Sequence, residues 1–152
     1  MKGASEILNT INIQPYSHIF CSCGTGTMVA GIINSALPTQ YILAISAIKN
    51  NLQIEENIAN LLPKNKQLPN YYIHHQYHFG GYAKHPTSLI NFMNELYQSE
   101  KIPTDIVYTA KLLYAVQHLC TNNFFTKENK LLIIHSGGLQ GNLSLPPKTL
   151  IF

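Results

Sequence analysis

The stretch "SHIFCSCGTGTMVAGIINSA", residues 17–36, decides the fold. Its first part, 17–23, carries no acidic or lysine side chain and reads as a half- or fully buried β-strand. Gly24, Thr25, Gly26 and Thr27 then break the run. Residues 27–36 are small and apolar and read as a helix, stopped by Pro38. A helix that opens on a glycine loop has free backbone N–H groups and partial positive charge at its start, and glycine lets an anion come close. Thr25 and Thr27 add hydroxyl donors. Two readings of the loop stand here, a plain strand–helix turn and a phosphate cradle. No Lys-Ser or Lys-Thr follows, so the nucleotide P-loop does not fit. The dinucleotide pattern fails too, lacking its third glycine and an acidic residue ~20 positions on.

Outward from this unit the chain alternates. "YILAIS" (41–46), "YYIHH" (71–75) and "KLLIIHS" (130–136) are further strand candidates, the first a continuous apolar run. Helices are expected over 4–12, where Ser5 is placed to cap, over 50–62, over 87–100 and over about 109–120. Strands that alternate with helices predict an α/β domain with a largely parallel sheet. We find no internal repeat, linker or low-complexity tract.

Composition narrows the function. The chain has 152 residues, room for one domain. Hydrophobic residues make up 45% and charged ones 11%, so few charges are left to solvate the surface and part of it is expected to be covered. All ten basic residues are lysine, and net charge is +3. Without arginine, bidentate contacts to bases and phosphates are lost, which argues against a nucleic-acid partner. No apolar run reaches the ~20 residues of a membrane span, and the start "MKGASEIL" lacks a signal-peptide core. A cytoplasmic setting is the expectation. Cys21, Cys23 and Cys120 make no even disulfide framework. Cys21 and Cys23 point to one strand face, as buried thiols or as a Cys-x-Cys metal site. His74, His75, His78 and His85 do not have a usual zinc-helix spacing and read mainly as ordinary histidines. No metal site is predicted.

Four ordered segments carry a resemblance: "CGTGTMVAG" (23–31), "FGGYAK" (79–84), "VYTAK" (107–111) and "IIHSGGLQG" (133–141). In that order they resemble the 1-aminocyclopropane-1-carboxylate deaminase and D-cysteine desulfhydrase family, pyridoxal-phosphate enzymes of the tryptophan-synthase β type. "GASEIL" (3–8) is similar to the segment that precedes the phosphate-loop strand there. The resemblance covers nearly the whole chain and implies pyridoxal 5'-phosphate as cofactor. It implies that Gly24, Thr25, Gly26 and Thr27 hold the phosphate and that Tyr82 faces the substrate. Tyr108 would stack on the pyridine ring, Thr109 would meet the pyridine nitrogen, and Ser136 and Gly137 would line the pocket.

A carboxylate at the Thr109 position would favour a protonated pyridinium, whereas a hydroxyl bonds the nitrogen without that charge. Threonine there resembles the enzymes that eliminate a β-substituent, which leans toward desulfhydrase chemistry on a D-amino acid. Met28, Ala110 and Ser136 depart from the family's usual threonine, glycine and threonine. The family's Schiff-base lysine lies in an N-terminal half with no counterpart in these residues. Lys111 and Lys84, the lysines near matched segments, read as structural. The resemblance therefore implies the C-terminal half of a tryptophan-synthase-β-like fold, a partial three-layer parallel-sheet domain spanning 1–152. That half would work with the missing half or a second subunit on a small amino-acid substrate, in an enzyme that is a homodimer when complete. By itself it is expected to be inactive. A non-catalytic remnant or interaction module that keeps the fold is the alternative.

Overall fold

The computed structural model describes residues 2–152. Its frame is a four-stranded sheet of β1 (His18–Cys23), β2 (Tyr41–Ser46), β3 (Asn70–His74) and β4 (Leu131–Ile133), in the order β3-β2-β1-β4. All three pairings are parallel. Parallel neighbours need crossovers, usually helical. Helix α2 (Thr27–Ser35) carries the chain from β1 to β2, and α3 (Ile54–Leu61) from β2 to β3. After β3 come α4 (Thr87–Glu100) and α5 (Thr109–Thr121), and β4 then returns to the far side of β1. Helix α1 (Lys2–Glu6) precedes them, followed by a 3₁₀ turn, Ile7–Thr10.

The continuous apolar runs are those of strands buried on both faces. Ile19, Cys21 and Cys23 of β1 point to one side, with Ile42 and Ala44 of β2, against Val29, Ile32 and Ile33 of α2 and Ile54 and Ile58 of α3. Phe20, Leu43 and Ile45 point to the other, against Leu112, Ala115, Val116 and Leu119 of α5. Each fully buried large side chain contributes about 1.5–3 kcal/mol. Helix α4 packs outside α5, through Leu89, Phe92 and Met93 against Ile106, Val107 and Ala110. The result is a helix–sheet–helix sandwich, an α/β fold. At Gly31 a Cβ would stand 2.5 Å from the Ala4 Cβ and 2.7 Å from its carbonyl carbon, so only glycine lets α1 lie on α2.

Three boundaries differ from expectation. The helix expected over 4–12 is the short α1 and its 3₁₀ turn. Helix α3 starts at Ile54 because Asn50 adopts a left-handed φ of 57° and Ile54 N–H closes a turn on the Asn51 carbonyl. Strand β4 has three ladder residues rather than seven, although Ile134 N–H still donates to the Phe20 carbonyl. Gly137 and Gly138, at φ 72° and 82°, then turn the chain away. Ser17 fastens β4 to β1, with its Oγ donating to the Lys130 carbonyl and accepting from Lys130 N–H. Among the described residues no helix is long and apolar enough to cross a membrane.

Candidate functional site

The sheet order reverses at β1, which has β2 on one side and β4 on the other. Crevices for ligands in parallel sheets open at such a switch point, at the carboxyl ends of the strands. The 24–27 loop leaves β1 there and the 134–138 segment leaves β4. Between them lies a cavity of about 230 Å³. Gly24, Thr25 and Gly26 form one wall, Tyr108 and Ser136 the other, and Ser22, Met28 and Val29 close it.

A side chain at either loop glycine would displace its neighbours. A Cβ on Gly24 would sit 2.9 Å from the Tyr108 Oη and 3.2 Å from its ring, so Tyr108 lies directly over the loop. Gly26 has φ 86°, and its Cβ would meet Ile58 at 2.8 Å. Gly26 immediately precedes α2, whose first N–H groups have no intrahelical partner. The hydroxyls of Thr25 and Thr27 are 3.4 Å apart at the rim. Asn51 Nδ2 donates to the Gly24 carbonyl and steadies the loop from the β2 side.

Tyr108 is aimed by a residue that the sequence reading passed over, Asp105, the chain's single aspartate. Its buried carboxylate accepts from the backbone N–H groups of Val107, Tyr108 and Thr109 at 2.8–3.2 Å. Aspartate before a helix start satisfies orphan N–H groups in this way, which is the signal that could have found it. Asn142 locks the same segment, accepting from Ile106 N–H and donating to the Thr104 carbonyl. Burial pushes the Tyr108 phenol upward, helped by Tyr82, Asp105 and Cys23, so it stays protonated.

The expected site residues are partly brought together. Gly24, Thr25, Gly26, Tyr108 and Ser136 share the cavity, with Thr27 on its rim. Gly137 follows Ser136 in a left-handed turn, its N–H donating to His135 Nδ1. Tyr82 is 59% exposed and reaches the site edge-on to Tyr108, with ring centres 6.2 Å apart. Thr109 is not part of the cavity walls. It is fully buried, and its hydroxyl donates to Asp105 Oδ1 at 2.8 Å while accepting from Asp105 N–H. Its single proton is committed, so it could meet a pyridine nitrogen only by releasing Asp105. Met28 puts a thioether in the wall.

The loop fits the phosphate of pyridoxal phosphate. It offers two Cβ-free positions, two hydroxyls and a helix start, and no carboxylate lines the cavity. At about 230 Å³ the cavity is below the ~300 Å³ at which small-molecule pockets begin.

A larger cavity of about 500 Å³ lies on the face of β2 and β3 that α5 leaves uncovered, bordered by Tyr41, Tyr72, His74 and Phe124. It holds aromatic surface but no cradle for an anion, and is away from the switch point. Among the described residues no three potential metal ligands of the His, Cys, Asp or Glu type cluster. His75 bonds Glu55 at 2.7 Å, and His74 bonds Gln76.

No family model matches the chain, and no curated protein is similar to it in sequence. Solved structures do resemble it. One described as "Crystal Structure Analysis of the ACC deaminase homologue" superposes with a TM-score of 0.74 over 93% of this chain, at 23% identity. The chain spans 45% of that structure's length, and at this identity the likeness establishes the fold.

Proposed function

We propose that the chain is the phosphate-holding portion of a pyridoxal-phosphate-dependent lyase or deaminase. Its substrate would be a small amino acid, in D-cysteine desulfhydrase-like or 1-aminocyclopropane-1-carboxylate deaminase-like chemistry. A further polypeptide portion would carry the lysine that the cofactor joins. The observation that carries this reading is the convergence of Gly24–Gly26, Tyr108 and Ser136 on one cavity at the switch point, from segments far apart in the sequence. The fold likeness to an ACC deaminase homologue supports it.

When bound, pyridoxal phosphate supplies an electron sink for charge developing at a substrate carbon. The chain's own residues bind and orient. The 24–27 loop and the start of α2 grip the phosphate. Tyr108, kept protonated, covers the loop and shields it from water. The Tyr82 hydroxyl stands at the open side, where a substrate would approach.

The test is a titration of the purified chain with pyridoxal phosphate and with pyridoxal, read by amide resonances. Shifts confined to residues 24–28, seen with the phosphate ester, competed by inorganic phosphate and weakened in Gly24→Ala, are expected. Incubation with D-cysteine is expected to release no sulfide beyond the cofactor alone. Sulfide that is lost on Lys84→Ala or Lys111→Ala would place the reactive amine within this chain. One observation favours a second reading, a non-catalytic module that keeps the fold: the Thr109 proton is committed to Asp105, and Met28 puts an apolar side chain at the phosphate wall. Silence of the 24–28 amides toward both ligands would select it.

A further inference from the structure

We propose that Lys111 is a positioning residue that, through the carbonyl of Gly81, fixes Tyr82 beside Tyr108 at the open side of the site. The role in the site rests on the reading above; the mechanical claim does not.

Lys111 lies in the first turn of α5 and is fully buried. Lysine is almost never buried without a paired charge. Among the described residues Lys111 is in no ion pair, and its ammonium meets carbonyls instead. Nζ donates to the Gly81 carbonyl at 2.6 Å and to the Ala47 carbonyl, just past β2, at 3.4 Å. An aliphatic side chain would fill this space without the desolvation cost. What the ammonium provides is a pair of directed bonds between α5, the end of β2 and the loop after β3.

That loop needs holding. Phe79, Gly80, Gly81 and Ala83 have φ of 52°, 98°, 127° and 53°. Two of these are not glycine, and such conformations persist only where the surroundings fix them. The loop's internal bonds are few: Gly80 N–H to His78 Nδ1, Gly81 N–H to the His78 carbonyl, Lys84 N–H to the Gly81 carbonyl, and the His85 ring to the Ala83 carbonyl. Phe79 and Ala83 pack on the α4–α5 cluster, and the Gly81 carbonyl, directly before Tyr82, is hydrogen-bonded both within the loop and to Lys111. Tyr82 follows directly and is 59% exposed, so its own packing cannot hold its ring near Tyr108. Tyr108 is three residues before Lys111, and one helical turn therefore carries the tyrosine over the phosphate loop and the anchor of the second tyrosine.

Burial lowers the Lys111 ammonium to about 8, with Asp105 opposing. His78, itself lowered mainly by burial and then by Lys49 and Lys111, is the other titrating neighbour. The clamp therefore weakens as pH rises through about 8, because a neutral amine is the poorer donor.

The experiment compares the purified chain with Lys111→Met, which keeps length and loses the donors. The readouts are the cross-ring NOE between Tyr82 and Tyr108 and amide-exchange protection of residues 79–84 relative to β1 and β2. Loss of the NOE and at least a tenfold drop in loop protection, with β1 and β2 unchanged, is expected. Both surviving in the variant would overturn the proposal. A second measurement needs no variant: the Gly81 carbonyl carbon shift should follow the Lys111 Cε titration. His78 and Lys49 are followed by their own resonances, and Gly81 tracking either of them, or neither group's midpoint, overturns the proposal. If the contact depends on Lys111 while pyridoxal phosphate never shifts the 24–28 amides, the positioning stands and the proposed function falls.

Discussion

At Asp105 a single carboxylate sets the direction of the residue that covers the candidate site. Three backbone N–H groups and the Thr109 hydroxyl converge on it. Hydrogen bonds to an ionised group are worth ~1.5–3 kcal/mol each, and removing the acceptor leaves buried donors unpaired. Asp105→Ala is therefore expected to lower stability by roughly 3 kcal/mol in a denaturant titration, and to free Tyr108 from Gly24. Asp105→Asn, which keeps one acceptor oxygen, should lose less. The sequence made the glycines and Tyr108 legible because their pattern is local and ordered. It left Asp105 unremarked because the cue, an aspartate just before a helix start, does not show which backbone groups it holds. It also could not show that Thr109 faces inward, since that depends on which atom takes one hydroxyl proton.

Elements were easier to read. Strand β1 carries no acidic or lysine side chain because both of its faces are covered, and β2 matches its expected bounds for the same reason. Strand β4 was overestimated because "LLII" stays apolar past its last ladder residue, Ile133, although the chain turns away soon after at Gly137 and Gly138. The burial of β1 also predicts a pH response. Desolvation raises both thiols, Cys23 from 9.0 to about 12 and Cys21 further still, with Glu55 adding to the rise at Cys23 and Cys23 to that at Cys21. Above pH 9 the unfolded chain sheds thiol protons that the fold retains, so these groups reduce stability as pH rises. Lys111 acts in the opposite sense between about 8 and 10.5, where the fold has shed a proton that the unfolded chain retains. Denaturation midpoints of wild type and Cys23→Ala should accordingly converge between pH 8 and pH 10.5. The variant starts lower, from lost packing, and falls less steeply. Parallel curves would show that Cys23 does not carry the alkaline loss.

For the whole molecule, the sheet order β3-β2-β1-β4 divides the chain in time as well as in space. The pairings of β1 with β2 and of β2 with β3 join neighbouring elements through one helix each. The contact of Ser17 with Lys130 joins residues 113 apart. Closing so long a loop costs entropy before any contact compensates it, so distant parallel pairings form slowly. Strand β4, with three ladder residues, is thus the last strand to dock, and Ser136 reaches the cavity only when it has. Stopped-flow refolding is expected to show β1–β3 amides protected before those of β4. Ser17→Ala, which removes both side-chain ties to Lys130, should speed unfolding more than it slows refolding. The site is then completed late in folding: a nascent or partly unfolded chain has the glycine loop and α2 but lacks Ser136 in the opposite wall. Any ligand that needs both walls selects the finished fold and, by mass action, stabilises it against opening at β4.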